Sequence, residues 1–169
     1  MGGTRRILVL AGLLWPALAL AQGTAPPAGP GPTPAPADAK LYFIAPVNGA
    51  RIKGPFAVQF GLRNMGVTQA GSTAANAGHH HLLIDAQGDI APNEPIPADK
   101  NHVHFGGGQT ETRLDLAAGR HTLQLVLGDA DHRPFRPSVA SEKIEITVVE
   151  DEPAPKRAPR KRKPRRNYY

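Results

Sequence analysis

The chain has 169 residues, 20 Lys and Arg against 14 Asp and Glu, and no cysteine. Without cysteine it can build no disulfide, iron–sulfur cluster, thiolate metal site or thiol nucleophile, and 5% aromatic residues are too few for base-stacking platforms. The formal charge of +6 does not mark a nucleic-acid-binding fold, because residues 40–149 carry ten basic and ten acidic side chains while the last twenty carry eight basic and three acidic.

Residues 1–21 read as a secretory signal peptide: Arg5 and Arg6 precede the apolar run Ile7 to Leu20, and Ala19-Leu20-Ala21 supplies a small-x-small cleavage site. The run is shorter than a membrane span and is broken by Pro16, so the expected location is periplasmic or secreted, with no transmembrane segment after the signal is removed. Residues 22–39 are a Pro/Ala/Gly linker, expected to be extended and without a core. At the other end, residues 150–169 alternate proline with basic clusters and are expected to be disordered. Residues 156–166 are a candidate arm for an anionic envelope component, with a solvated tail as the alternative.

Between these ends lies one domain, residues 40–149, in which hydrophobicity alternates with the period of a strand. Phe56, Val58, Phe60 and Leu62 alternate with Ala57, Gln59 and Gly61. The same pattern recurs over His121 to Leu127 and over Lys143 to Val148, and further strands are expected at 40–44, 79–85, 101–105 and 110–116. Turn-forming stretches such as Val47-Asn48-Gly49 and Ala118-Gly119-Arg120 separate them. The fold class expected is all-β: an immunoglobulin-like antiparallel β-sandwich of about seven strands. Residues 64–78 and 87–100 read as long loops, the second because Pro92, Pro95 and Pro97 exclude a central strand.

Five of the seven histidines fall in two short segments, His79-His80-His81 and His102-Val103-His104. If Leu82 and Ile84 face the core, His80 does too, and His79 and His81 point the other way. Val103 and Phe105 as a core pair likewise send His102 and His104 outward together. Four imidazoles so placed, His79, His81, His102 and His104, are candidate metal ligands. Imidazole-only sites suit Zn2+, Cu2+, Ni2+ or Fe2+, of which Cu2+ and Zn2+ are the expected ions; Cu+ is disfavoured because Met65 is the only methionine beyond the signal. Gly106-Gly107-Gly108 with Glu111 forms a candidate ligand loop, though a tight turn into the next strand is the preferred explanation of the glycines. Glu111 and Asp85 are the carboxylates a metalloenzyme could use as acid or base, but nothing in the sequence supports a catalytic step, and no catalytic residue is assigned. His121 reads as part of the semi-polar core. Asp129 and Asp131 read as an Asx-turn.

The segments Gly78-His79-His80-His81-Leu82-Leu83-Ile84-Asp85, Pro95 to Glu111, Gly119 to Leu125 and Ser141-Glu142-Lys143-Ile144, in this order, resemble a bacterial family of exported domains called domain of unknown function 4399. The resemblance covers roughly residues 40–149. It implies an exported β-domain with the two histidine segments as its motifs, and no activity. In the family the loop after Gly128-Asp129 reads H-x-P-H; here it reads His132-Arg133-Pro134-Phe135, so His132 is left out of the expected ligand set. Two functions stay open: an exported binding domain that takes Cu2+ or Zn2+, and a non-metal structural or interaction module of the cell envelope. A small metalloenzyme is a third.

Overall fold

The computed structural model describes residues 31–150; the signal-like segment, most of the linker and the basic tail lie outside the described residues. The described chain is all-β, with nine strands: β1 (Lys40–Ala45), β2 (Arg51–Lys53), β3 (Phe56–Arg63), β4 (Gly66–Val67), β5 (Ala77–Ile84), β6 (His102–His104), β7 (Glu111–Leu114), β8 (Gly119–Gly128) and β9 (Ile144–Val149). They form a three-stranded sheet, β1-β3-β7, and a six-stranded sheet, β2-β9-β8-β5-β4, with β6 also paired to β5.

Both sheets face one core. The smaller sheet contributes Leu41, Phe56, Val58 and Phe60, and the larger contributes Leu82, Ile84, Leu123, Leu125, Leu127, Ile144, Ile146 and Val148. These are the apolar members of the period-2 patterns, and burying each large aliphatic side chain is worth about 1.5–3 kcal/mol. The longest strand, β8, lies at the centre of the larger sheet, antiparallel to both β5 and β9.

Expectation and structure differ at the edges. β2 runs parallel to β9 and β4 parallel to β5, so the larger sheet is mixed rather than purely antiparallel. These two short strands, of three and two residues, carry no readable alternation. The last part of the expected linker is also attached: Thr33, Pro34 and Ala35 run beside Arg136, with Ala35 N–H donating to the Arg136 carbonyl and Arg136 N–H to that of Thr33.

The outer face of the larger sheet is not wholly wet. Leu83 on β5 and Val126 on β8 form a second small cluster with Ile96, Ala86 and Ile90, which come from the proline-rich stretch between β5 and β6. That stretch, unable to join the sheet because of its prolines, lies down on it. Side chains that alternation alone would assign to solvent are therefore buried.

Candidate metal centre

The sequence Ala77–Ile84 forms a strand because Leu82 and Ile84 alternate into the core, and His80 follows them. The His80 ring packs 5.1 Å from the Phe60 ring, and its Nδ1–H donates to the Gln109 carbonyl at 3.1 Å. His79 and His81 project from the opposite face beside Leu83 and are fully buried. Register then brings in a third ring: on β6, His104 lies directly opposite His81.

One potential ligand atom from each of His79, His81 and His104 lies within 4.8 Å of the others, a group able to hold a metal ion. The Nε2 atoms of His79 and His81 are 3.1 Å apart. Two nitrogens bound to one ion at the usual 2.0–2.1 Å stand about 2.9 Å apart at a right angle and about 3.4 Å apart in a tetrahedron, so the observed spacing suits a shared cation. Without one, the rings share a single proton between these atoms, and Nδ1 of each is buried with no partner. Burial foremost, then repulsion from neighbouring imidazoles, lowers His79 to about 4 and His81 to about 3. At neutral pH both rings are uncharged, and with the proton of each on Nδ1 both Nε2 lone pairs can be given to a cation in place of their hydrogen bond.

The backbone beside these rings is glycine. Gly128 on β8 pairs with His79, and a Cβ built at Gly128 would lie 2.8 Å from His81 Nε2 and 3.4 Å from His79 Cε1. Glycine here lets the two rings lie against the β8 backbone, where a side chain would crowd them. The His104 ring, the exposed member of the three, lies against the backbone of Gly106, where an added Cβ would meet its Cε1 at 2.5 Å.

His102, the fourth ligand expected from the sequence, is not in this group. It stands opposite Leu83, one side-chain step along β6 from His104, and its Nδ1–H donates to Asp99 at 2.8 Å. An H-x-H pair shares a face, but the neighbouring strand's register decides which ring meets the others. Neither carboxylate considered for acid–base chemistry faces the three rings. Glu111 is on the smaller sheet and accepts a hydrogen bond from Gln59. Asp85 accepts from His121 Nδ1 at 2.7 Å and from the Thr122 amide at 2.8 Å. His121 Nε2 donates to the Ala117 carbonyl at 2.9 Å, so both ring nitrogens bear protons. Burial opposes that charge, but the bonds to Asp85 and Ala117 outweigh it and raise the His121 pKa.

In the candidate ligand loop, the Gly108 amide donates to Phe105 and the Gly107 amide to the Gln109 side chain. Both amides are therefore taken up within the turn. The residue that sequence reasoning set aside is His132. Its ring centroid is 4.9 Å from that of His79, 4.7 Å from that of His104 and 5.9 Å from that of His81.

These features define a small two-sheet β-domain with a histidine cluster on the outer face of its larger sheet. Residues 58–149 match the family described as "Domain of unknown function (DUF4399)", and the chain belongs to that family. No curated protein matches it. Among solved structures it is similar to the X-ray structure of the endo-beta-1,4-mannanase from Thermotoga petrophila, at 17% identity over 68% of this chain and 20% of that chain, with a TM-score of 0.40. The chain thus spans about a fifth of that protein, and likeness at this level identifies neither an activity nor a substrate.

Proposed function

We propose that this chain is an exported domain that binds one divalent cation, Cu2+ or Zn2+, through His79, His81 and His104. The observation that carries the reading is three imidazoles converging within 4.8 Å, two of them fully buried, against a glycine whose missing side chain lets the rings come together. An all-nitrogen set favours these borderline ions over Ca2+ or Mg2+, which take oxygen ligands, and over Cu+, which takes sulfur. Met65 packs against the core instead. Export rests on the signal-like pattern of residues 1–21. With Glu111 and Asp85 engaged elsewhere, the site favours binding over turnover.

The competing reading is a structural cluster in which His79 and His81 simply share a hydrogen bond across their 3.1 Å contact. Titrating the full chain, stripped of metal, with Cu2+ and with Zn2+ separates the two. One ion bound per chain with a rise in melting temperature, lost in His79→Ala plus His81→Ala, supports the metal site. Absence of stoichiometric binding leaves the structural cluster.

A further inference from the structure

We infer that His132 is a fourth ligand, carried by the loop after β8, so that the site holds its cation with four imidazoles. This rests on the metal reading above and extends it to a residue in no strand, on a loop with its own scaffold.

The geometry is local and consistent. β8 ends at Gly128, opposite His79. The chain then turns back at once, with Gly128 bridged to Pro134 and the Asp129 amide donating to the Arg133 carbonyl at 2.9 Å. Asp129 fastens the turn from within: its Oδ1 accepts from the amides of Asp131 and Arg133, both at 2.9 Å, and its Oδ2 from the Thr33 hydroxyl at 2.6 Å. Phe135 plugs the far end of the loop into the core. His132 itself is held on both sides, its amide donating to the Asp129 carbonyl at 3.0 Å and its carbonyl accepting from the Ile96 amide at 2.8 Å.

In that frame the residue takes the left-handed conformation, φ 64°, which few residues other than glycine adopt without support. The ring stands edge-on to His79 at 75° and to His81 at 82°, and is tilted 59° to His104. A loop braced by six hydrogen bonds and a buried phenylalanine thus delivers one half-buried imidazole to the mouth of a three-imidazole group. His132 stands slightly outside the tight group of three, so binding draws its ring inward by a small loop or side-chain adjustment. His104 and His132, the two rings at the surface, then close over an ion whose inner ligands are His79 and His81.

The test uses Cu2+ as the probe on the full chain. Electron spin-echo spectroscopy counts coordinated imidazoles and a competitive chelator titration gives affinity. The variants are His132→Asn, which tolerates a left-handed backbone, His132→Ala, and His102→Ala as the control. The expected result is four imidazoles in the parent and three in both His132 variants, with affinity lower by about ten-fold or more, while His102→Ala changes neither. Limited proteolysis adds a second readout: Cu2+ protects the 129–134 loop in the parent and not in His132→Asn. If the parent binds Cu2+ and the His132 variants keep its spectrum and affinity, the fourth ligand is refuted and the three-histidine site stands. If the parent binds no Cu2+, the underlying metal reading fails as well.

Discussion

His79 and His81 matter because a strand puts them on one face at a fixed spacing and the folded protein then removes water from both. With their pKa values held near 4 and 3, the folded rings stay neutral under conditions where the unfolded ones, with an ordinary pKa of 6.5, take up protons. A state that binds fewer protons is weakened by acid. Metal-free protein is therefore expected to lose stability steadily as pH falls from 6.5 toward 4. Urea midpoints measured in chelator across that range test it, and a flat or inverted profile would show that the rings are not held neutral. Gly128 gives a second test at this scale. Its backbone is outside the left-handed region, so Gly128→Ala is conformationally acceptable, yet the new methyl would sit 2.8 Å from His81 Nε2. The metal-free fold should survive with a change of about 1–3 kcal/mol from crowding, and the metal-induced rise in melting temperature should disappear. Calorimetry of both forms checks it; retention of the rise would move the ion away from this space.

Elements place these residues more than local propensity does. β5 carries three consecutive histidines with two different fates, because its inner face meets Phe60 and Phe105 while its outer face lies under loops. At the C-terminal end of β5, Asp85 and His121 tie this strand to β8. Asp85→Ala would strip His121 Nδ1 and the Thr122 amide of their acceptor. Since the pair is partly exposed, the expected loss is about 1 kcal/mol, seen in denaturant unfolding and without change in metal affinity. The bond from Thr33 to Asp129 works at the other end of the sheet, and Thr33→Val should speed amide exchange in residues 129–133; unchanged exchange would mean the loop stands without it.

Alternation made much of this legible. Strand periodicity predicts the core of both sheets, the inward His80 and the outward His79, His81 and His104, because side-chain direction in a strand has a fixed period. It does not reveal the register that sets His104 rather than His102 beside His81, since pairing between segments twenty residues apart is decided by packing and not by either segment alone. His132 lies in a loop without periodicity, where the signals were the Gly-Asp-x-x-His turn and the first histidine of the resembled family's H-x-P-H pattern. The burial of the outer face was hidden for a similar reason: Ile90 and Ile96 sit among prolines, and nothing local says that such a stretch folds back onto the sheet.

For the whole molecule, the +6 charge and the histidine chemistry are separate. Residues 40–149 are neutral by count, and the excess lies mainly in the last twenty residues. Among the described residues no helix is long and apolar enough to cross a membrane. Deleting residues 153–169 should leave metal binding as it was, and a change in metal affinity on that deletion would tie the two together. The same separation makes stoichiometry the most direct measurement of all. Full-length protein, stripped with chelator, titrated with Cu2+ and followed by metal analysis after desalting, should retain one ion per chain, and fewer than about a tenth of that in His79→Ala plus His81→Ala. Retention of no ion by the parent chain, or equal retention by the double variant, would contradict a metal centre at these histidines.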